Sequence, residues 1–180
     1  MSDYIAFLRG INVGGHRVKM ARLREIFIDL GLHDVSTFIA SGNVSFTADT
    51  GDSEGLRKRI EAHIESRLGY EVPVFLRTPE ALAKIVAFEP PLAPGESAST
   101  TSHYVIFLDA GVPPSLRSAL TAVNSEMDRF LFDEREVHWL IQGKLSESPL
   151  FGSGIDRATS GVRTTMRNIN TLRRIVSRRH

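Results

Sequence analysis

An α+β fold in two successive halves is predicted, on three observations. Two apolar runs, YIAFL at 4–8 and YVIFL at 104–108, have strand length and aromatic or β-branched content. Intervening segments carry apolar residues at the 3-and-4 spacing of one helix face. A stretch rich in Pro, Ser and Thr, EPPLAPGESASTTS at 89–102, divides the chain near its middle.

The first strand, 4–8, ends at Arg9-Gly10. Met20, Leu23, Ile26, Phe27 and Leu30 share one face of a helix over 20–30, and Gly31 stands where a left-handed terminal residue belongs. Residues 35–40 and 43–47 are two strands around Ser41-Gly42, a hairpin signal. Asp52-Ser53-Glu54 opens a second helix that turns Leu56, Ile60, Ile64 and Leu68 inward and stops near Gly69. A fourth strand spans 72–76. The resulting order, β-α-β-β-α-β, is the ferredoxin-like arrangement. A third helix over 79–88 follows it.

Past the Pro-rich stretch, 103–108 is a strand, 114–124 a helix, and 129–133 with 137–141 a hairpin turning at Glu134-Arg135. This half repeats β-α-β-β and then departs. Residues 143–160 are loop-rich with one short helix, and 171–179 form a terminal helix with Leu172, Ile175 and Val176 inward. The expected organisation is a ferredoxin-like subdomain at 1–90, a linker at 91–102, and a second, partly similar α+β subdomain at 103–180 with an Arg-rich C-terminal helix.

Composition narrows the function classes. Apolar residues make up 42% and charged residues 24%, ordinary for a soluble globular protein. The absence of cysteine excludes a disulfide scaffold, thiolate catalysis and any Cys-based metal site. The opening residues lack a basic and then apolar leader, and no apolar run approaches the ~20 residues of a bilayer span. The expected location is cytoplasmic, with no membrane partner. Residues 157–180 hold seven Arg and no acidic residue, which leaves 15 basic and 21 acidic residues in 1–156, a balance of −6. Such asymmetry fits an anionic partner, or a basic tail packed on an acidic body.

The stretch LRGINVGGHRVKM, 8–20, has the G-x4-G spacing of a phosphate loop, but His16 and Arg17 stand where Lys and Ser/Thr are required. A nucleoside triphosphatase loop is therefore not expected. The helix that follows also lacks a Ser, Thr, Asp or Asn N-cap, so its first N–H groups need another acceptor: backbone, water or an anion. Gly14 and Gly15 serve either an anion site or left-handed turn geometry.

FLRGINVGG (7–15), TFIASGNVSF (37–46) and RTTMRNINTL (163–172), in this order, resemble the bacterial proteins grouped as the domain of unknown function 1697 family. A Lys in the GKLS stretch, Lys144, belongs to the same resemblance. It implies two ferredoxin-related halves and supplies no chemistry. The layout also resembles acylphosphatases in topology, which implies an Arg and an Asn on phosphate; here Arg9 precedes the loop rather than lying within it.

The candidate anion site comprises Arg9, Asn12, Gly14, Gly15, Asn43, Lys144, Arg167 and Asn168. Arg9 and Arg167 supply forked donors suited to phosphate or carboxylate. Asn43 belongs either to a hairpin turn or to a ligand, and Asn168 or Asn170 either caps the last helix or contacts one. Whether the glycine loop and Arg167 share one site is open. The six His (16, 33, 63, 103, 138, 180) lack metal-ligand spacing, and His103 and His138 read as surface or satisfied core residues. No Ser, His and Asp catalytic set can be assembled by motif, and no metal or cofactor is expected. Three functions follow: binding of a phosphorylated small molecule, nucleotide or nucleic-acid segment; hydrolysis of a phosphate ester or anhydride through Arg9 and Asn43; or docking of an acidic protein partner.

Overall fold

A computed structural model describes residues 1–12, 14–39 and 42–178. The expected strand end at Ala40, the turn residue Ser41, the helix end at Arg179, the loop residue Val13 and His180 lie outside the described residues. The chain divides into two compact units, Met1–Ile85 and Val86–His180.

The first unit runs β1 (Ser2–Leu8), α1 (Met20–Asp29), β2 (His33–Phe38), β3 (Asn43–Ala48), α2 (Ser53–Leu68) and β4 (Val74–Arg77). Its sheet is antiparallel in the order β2-β3-β1-β4. Each terminus of α2 has a local cause. The Asp52 carboxylate accepts from the Gly55 amide, and Gly69 closes the helix with φ 79°. The apolar faces of both helices, Leu23, Ile26 and Phe27 with Leu56, Ile60 and Ile64, pack on Tyr4, Ala6, Leu8, Val44 and Phe46. α3 (Pro79–Ala87) follows, and the division between units falls within it.

The second unit runs β5 (Thr101–Leu108), α4 (Pro114–Ala122), β6 (Asp128–Phe132), β7 (Glu136–Gln142), a short 3-10 turn (Leu145–Glu147), α5 (Ser153–Ala158), β8 (Thr164–Asn168) and α6 (Ile169–Ser177). Its sheet order, β6-β7-β5-β8, repeats that of the first unit. The expected departure after β7 is thus corrected: α5 and β8 complete a second βαββαβ. Residues 164–168 escape a period-2 reading because Met166 is their only apolar side chain. Pairing with β5 makes them a strand, with Met166 opposite Ile106. Met166 packs against the core of Ile106, Leu116, Leu120, Val137 and Trp139.

The repeat extends to a buried arginine. Arg77 on β4 stands opposite Ile5, and Arg167 on β8 stands opposite Val105. Each is under a tenth exposed, and each donates through Nη1 to the carbonyl of the residue before it.

Of residues 91–102, read from sequence as a linker, 101–102 open β5 and 91–100 are fastened to the second unit. The Glu96 carboxylate accepts from the Ala93 amide and from Arg129 of β6, and these hold it below the usual carboxylate range. Arg129 also donates to the Pro91 carbonyl at 3.1 Å, and the Gly143 amide donates to Thr100. Among the described residues no helix is long and apolar enough to cross a membrane.

Candidate functional site

The predicted residues divide between the units: Arg9, Asn12, Gly14, Gly15 and Asn43 in the first, Lys144, Arg167 and Asn168 in the second. In the first unit, Asn12 braces the loop, its Oδ1 accepting from the Val18 amide at 2.7 Å. The Tyr70 hydroxyl donates to the Ile11 carbonyl at 3.2 Å, and its ring stacks on His16 at 3.9 Å. Gly14 and Gly15 have φ of 63° and 89°, with open space where a Cβ would stand. Their requirement is therefore conformational. Lys19 is the α1 N-cap and contributes no side-chain cap, as the sequence implies.

Asn43 pairs with Phe7 in register, so its backbone lies near the end of β1. Its side chain is 1% exposed and donates to the Phe38 carbonyl across the hairpin turn. Arg9 is exposed, and its amide donates to the Pro73 carbonyl. Nothing in this geometry favours Asn43 positioning a water. Gly42, beside it, is a true close approach. At φ 73°, an added Cβ would lie 2.9 Å from Ile11 Cγ2 and 3.1 Å from Leu8 Cβ. Gly42→Ala is expected to cost about 2–3 kcal/mol, against about 1 kcal/mol for Gly14→Ala, which meets only the φ penalty. Urea denaturation checks this, and equal losses would refute the crowding argument.

In the second unit, Arg167 belongs to the architecture. Its guanidinium donates to Thr165 Oγ1 and the Met166 carbonyl, both at 2.9 Å, and burial lowers its pKa to about 10, so it stays charged at neutral pH. Lys144 is exposed, and its amide donates to Glu147 Oε2 at 2.7 Å. Asn168 caps α6, its Oδ1 accepting from the Asn170 amide at 2.8 Å.

Asn168 also lines a cleft of about 590 Å³, which no sequence signal announced. One wall is the 88–102 segment, with Phe88, Glu89, Leu92 and Ser99; another is the first turn of α6, with Ile169, Asn170 and Arg173; His103 and Leu140 come from β5 and β7. Arg173 Nη1 donates to Asn170 Oδ1 at 3.2 Å, and no carboxylate among the described residues forms an ion pair with it. His103 Nε2 lies 2.8 Å from His138 Nδ1, and Phe88 covers the His138 ring at 4.3 Å. Burial, with the charges of His138 and Arg173, lowers the His103 pKa to about 4; burial lowers His138 to about 4 against the opposing charge of Asp133. Both imidazoles are neutral at pH 7. The reading of these His as surface or satisfied core residues holds for burial and misses the pairing. Only the β5–β7 register, with Val105 opposite His138 and His103 opposite Leu140, brings them together.

The arrangement offers a cation, an exposed amide, the start of a helix, and apolar side chains (Phe88, Leu92, Leu140, Ile169) among polar ones. It suits a small molecule with an anionic end. Among the described residues no group of three or more His, Asp or Glu is arranged around a metal position.

The family model for the protein of unknown function DUF1697 matches residues 1–138. His103 and His138 lie within the matched segment; RTTMRNINTL and the α6 residues of the cleft lie beyond it. No curated protein matches the chain. A solved structure, described as the structure of conserved bacterial protein SP0830 from Streptococcus pneumoniae, is similar with a TM-score of 0.72 and 22% identity, over 99% of this chain and 98% of that one. At that identity the likeness shows the fold.

Proposed function

We propose, for a chain that belongs to the family of proteins of unknown function DUF1697, that its second unit binds a small anionic molecule in the cleft beside α6. The observation that carries this reading is Arg173, a guanidinium lining a half-open cleft of mixed polar and apolar side chains without a carboxylate partner among the described residues. The first turn of α6 adds its dipole to the same end of the cleft. Glu89 on the rim opposes high negative charge, which favours a singly charged carboxylate or monoester over a polyphosphate.

One guanidinium also separates a small acid from a nucleic-acid strand. A single neutralised phosphate gives a log–log salt slope of about −0.9 on duplex DNA, too shallow to hold a polyanion at physiological salt. Thermal denaturation with inorganic phosphate, adenosine monophosphate, benzoate and 3-phenylpropionate tests the proposal. At 100 times its dissociation constant a bound acid adds about 2.7 kcal/mol, roughly 5–10 °C at this chain length. The shift is expected with at least one of these acids and is lost in Arg173→Ala. No shift from any of them, or an unchanged shift in Arg173→Ala, overturns the assignment.

A further inference from the structure

Of the three ionisable side chains lining the cleft, Glu89, His103 and Arg173, only His103 is buried, at 8% exposed. Its contact with His138 places one proton between two ring nitrogens, so one ring donates and the other accepts. The remaining nitrogen of His138, Nε2, is fully buried and has no hydrogen-bond partner among the described residues. The Phe88 ring lies over the His138 ring with 36° between planes, so an in-plane Nε2–H does not aim at its face. Orphaned buried N–H groups are rarer than under-satisfied acceptors, so the bare nitrogen belongs at this position. His138 then carries its proton on Nδ1 and donates it to His103 Nε2. By elimination, the His103 proton sits on Nδ1, the nitrogen left over for the cleft.

We propose that His103 presents this Nδ1–H as a specificity donor, and that the ligand is an acid bearing a neutral acceptor oxygen beside its charged group. His138 is the positioning residue that sets the His103 tautomer. The inference rests on the cleft reading above and deepens it. Both rings are neutral at pH 7, so the donor acts on a carbonyl or similar oxygen while Arg173 takes the charge. A 2-oxo acid with an apolar body has this chemistry.

Two measurements on the intact wild-type chain test it. Long-range proton–nitrogen NMR is expected to show both His103 and His138 as Nδ1–H tautomers, with His138 Nδ1–H in the shared bond. Titration calorimetry then compares phenylpyruvate with 3-phenylpropionate, a pair differing by one keto oxygen. One added hydrogen bond is expected to give phenylpyruvate about tenfold tighter binding. A His103 Nε2–H signal overturns the donor assignment and leaves the cleft intact. Equal affinities overturn the ligand class on their own. Failure of both acids, together with no shift from phosphate, adenosine monophosphate or benzoate, removes the cleft reading itself.

Discussion

Asp128→Ala is expected to destabilise the second unit by about 4 kcal/mol, a melting loss of roughly 8–16 °C. Asp128 is fully buried, and its Oδ1 accepts from Trp139 Nε1 at 2.8 Å and from Ser148 Oγ at 2.7 Å. Ser148 Oγ in turn accepts from the Leu150 amide at 3.0 Å, which ties the β6–β7 hairpin to the segment leading into α5. Alanine leaves an indole N–H and a hydroxyl buried without an acceptor, at about 1–3 kcal/mol each, and opens a small cavity. Asp128→Asn keeps the Oδ1 acceptor and is expected to cost about 1–2 kcal/mol. Trp139 is the single tryptophan, so urea unfolding followed by its fluorescence reports on this network directly. Equal losses in the two variants would show that the carboxylate oxygen is not what holds Trp139 and Ser148.

Acid is expected to weaken the same unit through the histidine pair. In the unfolded chain each imidazole titrates near 6.5, while in the fold both are lowered to about 4. Between these values the unfolded chain binds more protons, so stability is fully present above pH 6.5 and is lost as pH falls toward 4. Two such shifts, discounted by half for water reaching the cleft side of His103, amount to about 3 kcal/mol between pH 7 and 4.5. Melting temperature followed over that range should fall by about 6–12 °C from this source. Carboxylates contribute to acid loss as well, so the decisive comparison is with the double variant His103→Gln, His138→Gln. Its pH dependence is expected to be shallower by that amount; a parallel profile would show that the pair does not titrate as described.

Much of the fold was legible because its signals are local. Gly31, Asp52 and Gly69 terminate helices through their own backbone or side-chain geometry, and the α1 and α2 stripes reached the core as spaced. β8 was not legible, because a strand with one apolar residue depends on its neighbour β5 for identity. The site was less legible than the fold. Asn12 and Asn43 carry turn-like and ligand-like chemistry equally well, and only their partners, the Val18 amide and the Phe38 carbonyl, decide between the two. Arg167 stood out in sequence as a phosphate donor. Burial and its repeat at Arg77 identify it as part of each half's framework. Arg173, the residue after the RTTMRNINTL stretch, is by sequence one more arginine of a basic tail; the cleft places it on a wall.

Residue order alone establishes the α+β class, the first βαββαβ, the lack of cysteine and the lack in 8–20 of the Lys and Ser/Thr of a phosphate loop. Each of these follows from periodicity, capping or residue type within a few positions. Strand pairing and long-range contacts are needed to show that the second half closes as the first does, and that residues 91–100 belong to it. The same contacts bring His103 and His138 to 2.8 Å beside Phe88. The reason is separation along the chain: the two histidines stand 35 positions apart, and no local pattern encodes a contact that only strand register creates.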